Sequence, residues 1–443
     1  MFNTIKSALK IPDLRRRLWF TLMMMIVFRF GAHVPVPFLT KDAMAAFMSG
    51  GTDLFSLFDV FTGGAFANAT VMALGVSPYI NASIIVQLLT VAIPALERLT
   101  KEGVEGRKKI NRITRYLGII LAFVQGAGLY VTLHNIGVTS GITAIKNEST
   151  LTFFIITLTF TAGTAFIVWL GELITEKGIG NGVSLIIFAG IVSRIPSAAV
   201  SIYNTYLVSG VRSMKNVALA IAVIVIALAA MVLVVLFDSA ERRIPVQYAK
   251  RVVGRKMYGG QSTNIPIKVV SGGVMPIIFA SSIMAFPATI VRLATSNNLP
   301  SSGIWYRVLG CFSASYGPGW TDFVYAALYF LLIIFFTYFY SAIQFNPIEM
   351  ANNIKKSGGY IPGYRPGKPT SDYISKVSTR LNLAGAIFLG IIAVLPIIIG
   401  SVFHITGMQI GGTSLLIMEG VALESVRQIE SQMIMRNYKG FLE

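Results

Sequence analysis

The residues that could carry out chemistry in this chain are few and scattered. There are three histidines, His33, His134 and His404, and one cysteine, Cys311. A single cysteine permits no internal disulfide, and isolated histidines without a second thiol form no metal-ligand set, so neither metal nor cofactor is expected. A serine–histidine hydrolase is disfavoured, because the histidines fall near the ends of apolar runs and no G-x-S motif pairs with them. The glycine-rich GIGNG, Gly178–Gly182, has no strand before it. GYRPGKPT, Gly363–Thr370, has the wrong glycine-to-lysine spacing for a phosphate-binding loop, so no ATPase is expected. Of the ionisable residues inside apolar runs, Arg29 and Glu419 are the two that bear on function. An intramembrane arginine is either functional or part of a structural ion pair, and a central acid costs about 3 kcal/mol to insert unless a partner, a water or a proton compensates it.

The elements around these residues belong in a bilayer. Hydrophobic residues make up 54% of the chain and charged residues 13%, with a mean hydropathy of +0.69. That composition excludes a soluble globule and predicts a polytopic membrane protein. The most informative stretch is Phe61 to Leu89, FTGGAFANATVMALGVSPYINASIIVQLL. It is too apolar for an aqueous loop, yet Gly63, Gly64, Gly75 and Pro78 interrupt it too often for one spanning helix. The pattern predicts a short half-helix over Phe61–Leu74, an unwound step at Gly75 and Val76, and a span with Ser77 as N-cap and Pro78 in its first turn. Broken backbone at membrane depth is tolerated where protein buries it or where it lines a watery cavity, so a funnel or pore is expected in the middle of the molecule.

Ten spans follow from hydropathy: about 18–36, 77–96, 116–133, 153–173, 183–202, 217–237, 274–290, 323–345, 381–399 and 413–433. Arg15, Arg16 and Arg17 before the first run resemble a signal peptide, but the run is long and has no small-residue cleavage site, so it reads as a retained span. Ahead of it, in residues 1–17, Phe2, Ile5 and Leu9 share a helical face beside Lys6 and Lys10 and predict an amphipathic surface segment. Arg194 and Pro196 interrupt the fifth span near its far end, and Pro276 and Pro287 are expected to kink the seventh. An even number of spans puts both termini on one side. That side carries 29 of the 37 basic residues, the other carries seven, and Arg29 lies within a span. Both termini are therefore expected to be cytoplasmic, the last in a tail over 434–443.

The formal net charge of +18 is thus mainly a topology signal, and its spread over several connections and both tails argues against a nucleic-acid-binding domain. Two polar segments, 238–273 and 346–380, are longer than connection requires and read as a docking platform for an acidic partner, such as a ribosome or a cytosolic protein. In the first, Ile244, Val246 and Tyr248 alternate with polar neighbours and predict a β-ribbon.

Blocks spread from the first span to the last resemble the SecY family, the central subunits of the bacterial Sec protein-conducting channel (translocon). They are FRFGAHVPVP, FTGGAF, GVSPYINASIIVQLL, KEGVEGRKKI, WLGELITEKGIGNGVSLIIFAGI, GVMPIIFASSI, NPIEMANNIKKSGGYIPGYRPGKPT and GGTSLLI. The resemblance implies an all-α polytopic membrane protein whose ten transmembrane helices form two inverted pseudosymmetric halves of five, 18–203 and 217–433. It also implies a short plug half-helix at 61–73 and cytosolic loops. By motif match, Phe61, Gly63, Gly64, Ala65, Phe66 and Asn68 belong to the plug, and Val76, Ile80, Ile187, Ile278 and Ile417 to the pore ring. Aliphatic side chains suit a ring that excludes water and ions when closed and makes no directional bond to a passing peptide; taken singly, each is also ordinary span packing. Asn81, Ser83 and Gln87 in span two would face Ser281 and Ser282 in span seven across a lateral gate, or be common contacts between spans. Lys250, Arg251 and Arg365 match positions that engage the SecA motor or the ribosome, where arginine's fixed fork of donors suits carboxylate or phosphate; a solvated, topology-setting face is the plainer reading. Met418, Glu419 and Gly420 depart from the family pattern, which continues after GGTSLLI with apolar residues before its glycine.

The implied function is a passive channel that moves unfolded secretory proteins across the cytoplasmic membrane and releases apolar segments sideways into the lipid bilayer. Its implied partners are the small membrane subunits SecE and SecG, the SecA motor, the ribosome, and polypeptides bearing signal sequences. A secondary transporter for a small solute is the alternative, since inverted repeats and a broken helix also describe that class. Such transporters place strongly polar groups at the midplane, whereas the break here is aliphatic apart from Glu419. The channel is favoured.

Overall fold

A computed structural model describes residues 9–40, 44, 59, 61–140, 145–146, 149–203, 214–248, 251–253, 256–258, 262–270, 272–294, 304–312, 320–403 and 412–439. Its helices, in chain order, are α1 (Pro12–Gly31), α2 (Ser77–Ala92), α3 (Pro94–Lys101), α4 (Val104–Ser140), α5 (Thr150–Lys177), α6 (Gly182–Tyr203), α7 (Met214–Ser239), α8 (Met275–Ala294), α9 (Ile304–Gly310), α10 (Trp320–Gln344), α11 (Pro347–Lys356), α12 (Lys368–Phe403) and α13 (Gly412–Lys439). A helix overlaps each apolar run. Among the described residues, Val104–His134, Thr150–Lys177, Trp320–Lys356 and Lys368–Leu395 are each long and apolar enough to cross a bilayer alone. Ser77–Ala92 with Pro94–Thr100 makes a fifth candidate, bent by 105°.

The bend is one of several places where local chemistry overrides hydropathy. The second span was expected to run to Leu96, but Pro94 has no N–H to donate and holds Ile93 in extended backbone, φ −109° and ψ 112°. The first helix stops at Gly31 rather than Val36, because Pro35 and Pro37 cannot continue it. Pro35 instead bridges Thr70. Arg194 and Pro196 do not end the fifth span, since α6 runs through both to Tyr203. Leu9 opens the described N-terminal residues and is exposed, while the rest of the amphipathic face lies outside them.

Two of the apolar cores gather most of the helices. One gathers Val234 of α7, Ile277 and Phe279 of α8, Tyr329 and Phe336 of α10, Leu389 of α12 and Leu416 of α13. The other gathers Phe28 of α1, Ile167 and Ile174 of α5 and Ile186 and Ile191 of α6. Among the described residues, α6 packs on α13 and α4 on α8 across the two groups. The third span thus packs on the seventh, a contact that sequence reasoning had not named.

The expected ribbon is present. Strand β1 (Glu241–Tyr248) pairs antiparallel with β4 (Ser262–Lys268), with Ile244 opposite Ile265, and β2 (Arg251–Val253) pairs with β3 (Lys256–Tyr258). A fifth strand, β5 (Gly359–Tyr360), comes from the other long polar segment and adds to β1, giving the order β4-β1-β5. Ile244 and Val246 point into a separate small core with Ile267, Ile354, Ile361 and Ile374. The two segments thus fold as one unit on α11 and the start of α12. Asn346 caps α11, its Oδ1 accepting from the Ile348 and Glu349 N–H groups at 3.2 and 3.3 Å. Asn346→Ala is expected to cost about 1 kcal/mol of local stability and to speed tryptic cleavage after Lys355 about fivefold. Cleavage at the wild-type rate would show that the cap contributes nothing.

Candidate functional site

Four helix segments converge where the sequence places a constriction. Val76 at the start of α2, Ile187 of α6, Ile278 of α8 and Ile417 of α13 are buried in one apolar cluster, with Ile80 of α2 packed against it. All five expected ring residues are brought together. Residues 61–76 lie against the same cluster through Ala65 and Met72.

That segment is not the regular half-helix expected over 61–74. Residues 62–69 and 71–76 form consecutive turns, with Thr70 in a bridge. Gly63, Gly64 and Gly75 take φ of +66°, +88° and +56°, where a helix cannot continue, and Ala69 also has φ +52°. Side chains complete the turns: Thr62 Oγ1 donates to Asp59 O, Asn68 Nδ2 to Gly64 O and Thr70 Oγ1 to Ala65 O. The unwound step at Gly75 falls where expected and α2 begins at Ser77, but its N-cap is Val76, with no side-chain cap. Ala65, Phe66, Ala69, Met72 and Ala73 are all buried, so the backbone break is covered by protein.

Charged groups that sequence reasoning did not connect hold the beginning of the segment. The Asp59 side chain is 0% exposed, and its carboxylate pairs with Arg194 of α6 and accepts the Ala67 N–H at 2.8 Å. Burial raises the Asp59 carboxyl above the usual carboxylate range, while the Ala67 N–H and Arg194 draw it back. Arg29 of α1 donates through Nη1 to Gly63 O at 2.6 Å and to Ser193 Oγ at 3.2 Å. Ser193 in turn donates to Gly190 O at 2.7 Å. A Cβ on Gly190 would sit 2.4 Å from Phe61 O, so only glycine permits this approach. The signal was available. On the side where basic residues are rare, each one that remains needs a partner, and Arg194 is one of them.

The expected gate residues Asn81, Ser83, Gln87, Ser281 and Ser282 are all half-buried. Among the described residues no hydrogen bond joins the α2 set to the α8 set. Gln87 Oε1 instead accepts from the Tyr340 hydroxyl of α10 at 3.1 Å, and Ser281 Oγ donates to Ile278 O of its own helix at 2.9 Å. Ile84 of α2 is buried in the same apolar cluster as Ile277 and Ala280 of α8. Arg365 is exposed beside the stacked rings of Tyr364 and Tyr373, Arg251 lies in β2, and Lys250 is outside the described residues. Glu419 is buried, and neither of its carboxylate oxygens has a partner among the described residues. Arg427, two turns along α13, pairs with Asp238 at 3.0 Å. His33 Nδ1 lies 2.9 Å from Arg29 O, His134 stacks on Tyr130, and His404 is outside the described residues.

Residues 70–426 match the model of the SecY family. Over the full length of both chains the protein is 45% identical to the protein translocase subunit SecY of Mycobacterium bovis and 43% identical to that of Streptomyces galbus. It superposes with a TM-score of 0.66 on a structure described as a protein conducting channel, at 20% identity and with 97% of each chain covered. It superposes with a TM-score of 0.62 on Sec61 of the canine ribosome–channel complex, at 18% identity and with the same coverage. A further match, with a TM-score of 0.67, 20% identity and 97% of each chain covered, is described as the plug domain of SecY stabilising the closed channel and maintaining a membrane seal. These distant likenesses carry the mostly helical fold, and the relatives covering the whole chain carry the family. The chain belongs to the SecY family.

Proposed function

We propose that this protein is the pore-forming subunit of a protein translocase, a passive channel for unfolded polypeptides rather than an enzyme. The observation that carries the reading is the meeting of Val76, Ile80, Ile187, Ile278 and Ile417, from four different helix segments, in one aliphatic cluster beside residues 61–76. Such a ring repels ions when closed and grips no particular side chain when a polypeptide passes. Residues 61–73 act as the plug that covers it. The channel opens sideways between α2 and α8 with α4 alongside, a seam held mainly by aliphatic contact that an apolar signal sequence can replace. Lys250, Arg251 and Arg365 on the two-loop platform receive the SecA motor or a ribosome, and small SecE- and SecG-type subunits complete the assembly. The excess of basic residues on one side supports a platform and both termini in the cytoplasm of a bacterial cell, with the chain in its inner membrane.

Crosslinking tests the reading. With Cys311→Ser as background, a single cysteine is placed at Ile80 or Ile417, and a secretory precursor carrying its own cysteine is stalled midway through membranes containing the protein. A disulfide that requires the precursor's signal sequence is expected at both positions. If none forms at either position while the membranes take up a small solute, the channel reading fails.

A further inference from the structure

The segment read as the plug is bonded unequally to its surroundings. At its start, the buried Asp59 carboxylate meets Arg194 of α6, and Gly63 O accepts from Arg29 of α1, which also holds Ser193 of α6. Farther along, Val36 N–H donates to Ala69 O and Val71 N–H to Val34 O, both at 2.9 Å. Every hydrogen bond described for residues 59–76 ends within the segment, in residues 29–36, in α6, or at the start of α2. Toward α8 and α13 the segment shares an apolar cluster with Ile278, Ile417 and Val421. Directional bonds lie on one side of the plug and apolar surface on the other.

We propose that Arg29 and Arg194 are positioning residues that latch the plug to the α1–α6 half of the protein, so that releasing the plug is a step separate from parting the seam. Moving α8 and α13 away from α6 separates apolar surfaces and breaks none of the hydrogen bonds described for the plug. Unseating the plug requires the guanidinium of Arg194 to leave Asp59 and that of Arg29 to leave Gly63 O. A buried carboxylate stripped of its arginine is strongly unfavourable, which keeps the plug seated while the seam opens and closes. A peptide that has entered the pore supplies the displacement. The inference rests on the channel reading above.

The test uses the protein with its co-purifying subunits in sealed vesicles, reading both resting potassium leak and precursor translocation. Asp59→Asn, Arg194→Gln and Arg29→Gln are each expected to raise resting leak about tenfold. The exchange of Asp59→Arg with Arg194→Asp is expected to bring it back to within about threefold of wild type, a recovery that general loosening of the fold does not give. Wild-type leak in all three single variants, or an exchange variant as leaky as the singles, overturns the latch. Should the charge variants fail to accumulate, Ser193→Ala removes only the hydroxyl that receives Arg29; leak about threefold above wild type supports the latch, and unchanged leak overturns it. Wild-type vesicles that translocate no precursor overturn the channel reading itself, whereas normal translocation with unchanged leak in the variants overturns the latch alone.

Discussion

Asparagine at Ile187 and Ile417 together is expected to raise the resting ion leak of reconstituted vesicles by more than about tenfold while leaving the protein inserted and folded. Both isoleucines are almost fully buried, on α6 and α13, and meet Val76 and Ile278 in the same cluster. An aliphatic constriction blocks ions because water does not wet it. Each amide introduced there lacks a partner, at a cost of about 1–3 kcal/mol, unless water enters with it. Water therefore enters, and ions follow. Leak unchanged from wild type, at equal protein content and with the same tryptic pattern, would place the constriction elsewhere.

The second large effect is expected at the glycine-rich turn between α5 and α6. Its glycines let two backbones touch. A Cβ on Gly182 would fall 1.9 Å from Gly171 O and 2.7 Å from Gly171 C, and backbone on a packed helix cannot swing aside as a side chain can. The same turn is fastened by Thr175 Oγ1, which accepts the Gly182 N–H at 2.9 Å, and by Thr21 Oγ1 of α1, which accepts the Ile179 N–H at 3.1 Å. Gly182→Val is expected to destabilise the α5–α6 pair by about 3 kcal/mol, at the upper end for overpacking. In cells this should lower the steady-state level several-fold, measured by quantitative immunoblotting of membranes. A wild-type level and a wild-type melting profile in detergent would show that α5 and α6 separate without penalty.

The parts of the fold that were legible beforehand are those written in local pattern. Alternation of Ile244, Val246 and Tyr248 predicts a half-buried strand, and β1 buries Ile244 and Val246 as that alternation requires. Gly75 followed by Ser77-Pro78 marks the break at the expected place and the helix start to within one residue, the N-cap being Val76 rather than Ser77. The half-helix expected here failed over 62–76, which becomes a chain of turns because three glycines at positive φ, close approach to Gly190 and bonding to Arg29 and Arg194 act together. It was silent on pairs made by packing. Asp59 and Arg194 stand 135 positions apart, and Gln87 and Tyr340 stand 253 apart, and no periodicity records such partners. The ring was nameable only through resemblance, since in a chain this apolar nothing in a lone isoleucine separates a constriction from ordinary packing.

Strand β5 has a mechanical meaning. By adding to β1 it fastens the connection between α7 and α8 to the connection between α10 and α12, with Ile354, Ile361 and Ile374 filling the space beneath. A tug on either connection alone would stretch a slack tether. Joined, they make a stiff handle rooted in the ends of four helices, so a push at the ribbon tip becomes torque on that whole group instead of slack taken up in a loop. Any machine that seats on this handle can turn α8 against α2 and α4 without touching either.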